Sequence, residues 1–235
     1  MHIVTTSWDD GHQLDLKLAR LLQKYDVKGT FYISPFYLKN RLTEAEIKEL
    51  SKCHELGAHT LTHVDLTSVP INRAEKEVGG SKLYLEKVLG HEINMFCYPK
   101  GKYNQRIKEI VKKSGFLGAR TCNVGSFEFP MDPFEWQITL AASNGSPLMT
   151  LRIWIKSKIS INALLDWEIR AKLLFDSFLV KGGIYHLWGH SWEIEDHDDW
   201  NKLERVLEYI SERNGVQYKT NGEIMQELKS RCNYV

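Results

Sequence analysis

The stretch HIVTTSWDDGHQLDLKLARLLQKYDVKGTFYI, residues 2–33, decides the fold. Its first part, His2–Trp8, is rich in β-branched residues and reads as a strand that stops at Asp9-Asp10-Gly11. Leu14, Leu18, Leu21 and Leu22 then recur at helical spacing up to Tyr25. A second strand, Val27–Ile33, follows at once. Parallel strands need a crossover helix between them, and strand–helix–strand in so short a stretch is such a unit. The alternation continues outward. Thr43-Glu44-Ala45-Glu46 is a capping-box start, with Thr43 as N-cap, for a helix running to about Glu55. A short strand is expected at Ala58–Thr60 and a long helix at Ile71–Leu89, with a weak point at Gly79-Gly80. Then come a strand at Asn94–Tyr98, a helix at Asn104–Ser114, and strands at Leu117–Thr121 and Trp136–Ala142. A helix at Ile161–Val180, a strand at Gly183–Trp188, a helix at Asp198–Arg213, a strand at Val216–Tyr218 and a helix to about Ser230 complete the chain. Seven or eight β–α units in one run, with no linker, predict an α/β fold. The expected form is one domain over residues 1–235, a distorted (β/α)7-type barrel, with an open doubly wound sheet as the competitor.

Composition agrees with a globular protein and excludes disorder and collagen-like structure. The chain has 235 residues, 31 Lys+Arg against 30 Asp+Glu, and 43% hydrophobic residues. The charge balance carries no footprint for nucleic acid. No apolar run approaches the ~20 residues of a membrane span. The N-terminus lacks the basic and apolar regions of a signal peptide, which gives a cytoplasmic expectation. Cys53, Cys97, Cys122 and Cys232 form no CxxC pair and read as reduced thiols. Nine His and seven Trp suit metal ligation, acid–base chemistry and flat sugar-like surfaces.

In both competing folds, function collects at the C-terminal ends of strands. Asp9 and Asp10 end the first strand. One carboxylate there can bind a metal while the other takes a proton, or either can simply cap the following helix. His59-Thr60-Leu61-Thr62-His63 ends the third strand. Its two imidazoles can reach one ion from a helix face or from a strand-to-loop turn. Two His and one Asp make a three-ligand site with open positions, the type found in catalytic metal centres. Phe96-Cys97-Tyr98-Pro99-Lys100-Gly101, Asp132-Pro133-Phe134-Glu135-Trp136 and residues 185–193 are weaker signals. His186 lies inside a strand, whereas His190 follows Gly189, where a side chain can reach a barrel mouth.

Together and in this order these segments resemble the polysaccharide deacetylases, the NodB-homology family or carbohydrate esterase family 4. The family's T-F-D-D-G is matched by Ser7-Trp8-Asp9-Asp10-Gly11 with conservative changes. H-[ST]-x-x-H is matched in full by residues 59–63. R-x-P-Y is matched only at Pro99. D-x-x-D-W is matched by Asp132 and Trp136 with Glu135 in place of the second Asp, and L-x-H is approximated by Trp188-Gly189-His190. The resemblance spans about residues 3 to 190. It implies a barrel-like deacetylase fold and one divalent ion, zinc before cobalt, nickel or iron. It implies metal ligands Asp10, His59 and His63, a catalytic base Asp9 and a general acid His190. It also implies an oxyanion contact from a backbone N–H near Tyr98, Pro99 and Lys100, and a wall including Trp136 that orients the acid. The implied substrate is an N-acetylated carbohydrate. Cys97 stands where the family often has an Arg that tunes the base, and Arg120, at the end of the next strand, is expected to supply a guanidinium from another direction. The departures at Cys97 and Lys100 keep a second reading open, a hydrolase of a small linear amide or ureide. A third is a sugar-binding module that stacks rings on Trp192 or Trp200.

Overall fold

A computed structural model describes residues 1–145, 151, 153, 155 and 166–231. Cys232 and the first residues of the helix expected at Ile161–Val180 lie outside the described residues.

Strand β1 (His2–Asp10) is the axis of the molecule. It pairs in parallel with β2 (Gly29–Ile33), with β7 (Gly183–Gly189) and, at its start, with the two-residue β8 (Gln217–Tyr218). The sheet continues through β3 (Glu55–Ala58), β4 (Met95–Cys97) and β5 (Gly118–Arg120) on one side. On the other it ends at β6 (Leu140–Ala141), in the order β5-β4-β3-β2-β1-β7-β6. Among the described residues, every pairing between these strands is parallel. The sheet curls, because the segment leading into β6 touches both of its edges. Trp136 N–H donates to Ala119 O (3.1 Å) and Thr121 N–H to Trp136 O (2.8 Å), while Thr139 N–H reaches His186 O (3.0 Å). The expected strand Trp136–Ala142 is therefore divided. It changes partner halfway, so only Leu140–Ala141 forms a regular ladder.

Helices α1 (Asp15–Lys24), α2 (Glu44–Leu50), α3 (Ile71–Leu89), α4 (Gln105–Lys113), α5 (Trp167–Lys181), α6 (Ser191–Asp196), α7 (Trp200–Ile210) and α8 (Asn221–Arg231) surround the sheet. Thr43 makes the expected capping box with Glu46. That helix ends at Leu50 rather than near Glu55, and Glu55 opens β3 instead. The Glu55 carboxylate accepts from Thr30 Oγ1 (2.7 Å) and Gly222 N–H (2.8 Å), long-range partners that a local helical pattern does not contain. Helix α6 was not expected, since six residues are too few to show a period. Helix α3 runs unbroken through Gly79-Gly80. A Cβ on Gly80 would lie 2.8 Å from Leu61 Cδ1, so this glycine lets α3 approach the loop after β3.

β1 is polar yet almost wholly buried. Its hydroxyls are satisfied internally: Thr5 donates to Asn221 Oδ1 (2.8 Å) and Thr6 to Lys28 O (3.0 Å), and Ser7 Oγ pairs with His186 Nε2 (2.8 Å). The aliphatic and aromatic core, including Trp8, Phe31, Leu56, Phe96, Tyr185 and Leu187, packs around these strands.

Candidate metal and catalytic site

Sheet register assembles the site. Asp10 lies opposite Ile33, Ile33 opposite Ala58, and Ala58 opposite Phe96. Cys97 is opposite Arg120, and Trp8 is opposite Gly189. Asp9 and Asp10, His59, Cys97, Arg120 and His190 therefore reach the same C-terminal end of the sheet.

Neither acidic residue caps α1: the helix has no side-chain cap, and the Leu14 N–H donates instead to His12 Nδ1 (3.1 Å). Asp10 takes a left-handed backbone, φ 84°, as do Thr60 at 63° and His63 at 55°. Such conformations cost non-glycine residues about 1–3 kcal/mol and gather at functional sites. Here Glu77 of α3 offsets the strain. Its carboxylate accepts from the N–H groups of Leu61 (3.0 Å) and Thr62 (2.9 Å) and from the Thr62 hydroxyl (2.7 Å), locking the His59–His63 segment as a loop. Of the two geometries open to the histidine pair, the loop is the one adopted.

Asp10 Oδ1 lies 3.8 Å from His59 Nε2 and 3.5 Å from His63 Nε2. It is buried and has no hydrogen-bond partner. His59 Nδ1–H donates to Cys97 O (2.8 Å), which leaves the Nε2 lone pair facing Asp10. Burial lowers the pKa of His59, and burial with His59 beside it brings His63 to about 4, so both rings are neutral at pH 7. An orphaned carboxylate oxygen facing two neutral imidazole nitrogens fits a divalent cation. Trp192 Nε1–H holds the other oxygen, Asp10 Oδ2, at 3.0 Å, and Tyr37 stacks on His63 with centroids 4.4 Å apart. Asp9, His59 and Cys97 also cluster within ligand spacing, but the Arg120 guanidinium already stands against Asp9 and Cys97, and its charge disfavours an ion there.

Asp9 is held from three sides. Arg120 Nη2 donates to both carboxylate oxygens, Trp188 Nε1–H reaches Oδ2 at 2.8 Å, and Cys97 Sγ lies 3.6 Å from Oδ2. Arg120 is fully buried and also 2.8 Å from Cys97 Sγ. Burial alone would raise the Asp9 pKa. Arg120, then His59 and His190, more than reverse that and hold the carboxyl well below its usual range. The guanidinium thus reaches Asp9 from β5, while the small Cys97 leaves room for it.

His190 is flanked by Trp188 and Trp192, with ring centroids 5.1 and 5.0 Å away. Its Nε2 lies 3.9 Å from Asp10 Oδ2, and its Nδ1 is 3.2 Å from Glu193 Oε2. Burial opposes its charge, but the Glu193 bond, Asp9 and Asp10 prevail and its pKa is raised. His186 is buried on Ser7 and against Trp136, centroids 5.1 Å apart, and its pKa is depressed by burial and by Arg120.

Other expected site residues lie elsewhere or do other work. Trp136 packs on His186, so the wall around His190 is Trp188 and Trp192 instead. Asp132 does not join the cluster: it binds Lys108 Nζ (2.9 Å) and the Phe134 N–H (2.8 Å), and Glu135 binds the same lysine (2.6 Å). The Tyr98 hydroxyl donates to Phe134 O (3.1 Å) and its N–H to Arg120 O (3.2 Å). Pro99 has no N–H, so the expected oxyanion contact narrows to Lys100, whose φ is 59° and whose side chain is exposed. Trp200 bonds Glu195 and lies under Lys17 Nζ, 4.0 Å from its ring centroid. Glu77, Tyr37, Trp188 and Glu193 were not singled out for these roles. Only Glu193 carried a local signal, since i,i+3 residues share a helical face.

Cys53, Cys97 and Cys122 are free thiols. No helix among the described residues is long and apolar enough to cross a membrane.

A family model described as polysaccharide deacetylase matches residues 2–119. The peptidoglycan-N-acetylmuramic acid deacetylase PdaA of Bacillus subtilis is 25% identical over 114 residues, 47% of this chain and 43% of that protein. Matched stretches cover only about two-fifths of the length of the first curated relatives. The solved structure of the same PdaA, a family 4 carbohydrate esterase, superposes with a TM-score of 0.61 at 19% identity over 96% of this chain and 81% of that one. A family 4 acetyl xylan esterase from Clostridium thermocellum, solved with a cobalt ion, gives 0.63 at 17% identity over 97% and 92%. At these identities the structural likeness speaks to the fold.

Proposed function

Since the chain belongs to the polysaccharide deacetylase family, we propose that it is a metal-dependent hydrolase removing N-acetyl groups from an N-acetylated sugar, polysaccharide or glycoconjugate precursor, with release of acetate. The observation that carries the metal dependence is the buried, unpartnered Asp10 Oδ1 facing His59 and His63. These three residues would hold the ion. Zinc suits the donor set best, and cobalt, nickel or iron(II) are compatible with it. When bound, a divalent ion supplies Lewis-acid polarisation of a carbonyl and a more acidic water.

The chain's own groups supply the proton transfers. Asp9, kept ionised by Arg120 and Trp188, takes a proton from the attacking water as its oxygen bonds to the acetyl carbon. The Lys100 N–H would hold the developing oxyanion. His190, whose pKa Glu193 and the two aspartates raise, gives a proton to the nitrogen as the C–N bond breaks, leaving acetate and the free amino sugar. Trp188 and Trp192 shield this transfer from solvent.

The test is acetate release from N-acetylglucosamine oligomers by zinc-loaded protein, alongside Asp10→Ala and Asp9→Asn. Asp10→Ala should lose both metal and activity, and Asp9→Asn activity alone. Failure of the wild-type protein to bind zinc or cobalt stoichiometrically at neutral pH would overturn the reading. Release of ammonia or acetate only from small linear amides would favour the amide-hydrolase alternative.

A further inference from the structure

Two large aromatic side chains stand in the open beside the candidate metal ligands. Phe36 is 51% and Tyr37 45% exposed, in the turn that follows β2. Leaving both rings in water forgoes apolar burial. The turn is not loose. The Phe36 N–H donates to Leu61 O (2.9 Å), and the Tyr37 N–H to Ser34 O (3.3 Å). Ser34 Oγ lies within bonding distance of His59 O (3.0 Å) and Thr60 O (3.1 Å). The turn and the loop carrying both candidate histidine ligands are thus one hydrogen-bonded unit. Tyr37 stacks on His63 at an interplanar angle of 24°, and Phe36 is braced edge-on by Tyr84 of α3 at 5.3 Å.

We propose that Phe36 and Tyr37 form a stacking platform for a second sugar ring, next to the ring whose N-acetyl group is cleaved. This rests on the deacetylase reading and deepens it by assigning the chain's own residues that receive the neighbouring ring. The chemistry is specific. One face of a pyranose carries C–H groups only and lies flat on an aromatic ring, while its hydroxyls stay in water. Because Tyr37 touches His63, a sugar on this turn is the immediate neighbour of one at the metal. A platform already held by hydrogen bonds loses little conformational entropy on binding. Among the described residues, the other exposed aliphatic and aromatic side chains are not tied to the ligand loop in this way.

The experiment compares kcat/KM for an N-acetylglucosamine tetramer with that for the monomer, in wild type, Phe36→Ala and Phe36→Trp. Calorimetric binding of the tetramer to zinc-loaded Asp9→Asn, with and without Phe36→Ala, runs in parallel. Phe36→Ala should lower the tetramer-to-monomer ratio about tenfold and weaken tetramer binding alike, and Phe36→Trp should restore both. An unchanged ratio, or a tetramer that binds no tighter than the monomer, overturns the platform. If neither sugar releases acetate yet the tetramer binds and Phe36→Ala removes that binding, the platform stands and the deacetylase reading falls.

Discussion

Replacing Arg120 with Met tests how the site holds its carboxylate. In the native protein the Arg120 and Asp9 side chains are 0% and 3% exposed, and the guanidinium meets both carboxylate oxygens. Met keeps much of the volume and removes the charge. Asp9 would then be buried with the Trp188 N–H and the Cys97 thiol as its remaining hydrogen-bond partners. Breaking one side of a buried ion pair costs about 3–5 kcal/mol, because the remaining charge is uncompensated. The sign with pH follows from the native balance. Asp9 now sits below its unfolded pKa, so its contribution is complete above about pH 4 and fades as pH falls. Without Arg120, burial, the largest influence on this group, raises the folded pKa above the unfolded one. Stability is then lost as pH rises. The deficit of Arg120→Met should therefore be smallest at low pH and grow to its full size by neutrality. Urea unfolding of metal-free protein across that range measures it. Adding Asp9→Asn should recover part of the loss, since no charge remains to be paired. Activity should fall about 10²–10⁴-fold with Asp9 no longer ionised and aligned. A deficit below about 0.5 kcal/mol at pH 7, or a wild-type pH–rate profile in Arg120→Met, would refute the argument.

Three further outcomes follow from the same geometry. Glu193→Gln removes the main support for the His190 charge, so the limb on which activity is lost with rising pH should move to lower pH in a pH–rate profile, with metal content unchanged. Trp192→Phe deletes the donor to Asp10 Oδ2 and should weaken zinc affinity about 10–100-fold in a chelator competition assay, with activity recovered at saturating metal. Gly222→Ala places a Cβ against the Glu55 carboxylate and should destabilise by about 1–3 kcal/mol in thermal or urea unfolding, part of which Glu55→Ala should restore.

Local patterns in the chain were enough for the architecture. The leucine spacing of residues 14–22, the capping box at Thr43 and the 19 residues of α3 are features of short-range chemistry, and each produced its element. Residues 9–10, 59–63 and 190 were legible as a candidate site because strand ends of one parallel sheet share an end, so motifs far apart in sequence need only the fold class to be placed together. Element boundaries failed where a distant partner intervened: Glu55 left the helical pattern for Thr30 and Gly222, and Trp136–Ala142 divided between two sheet edges.

The sequence by itself determined a parallel α/β fold and the residue types gathered at its mouth. Tertiary structure alone decided what stands against what. It sent Trp192 to Asp10 and Trp188 to the side of His190, and it turned Asp132 away to Lys108. Periodicity records which face of an element is buried. The partner of a buried charge is chosen by the register of neighbouring strands and by the room left by side chains such as Cys97, and neither is written in any local stretch of the chain.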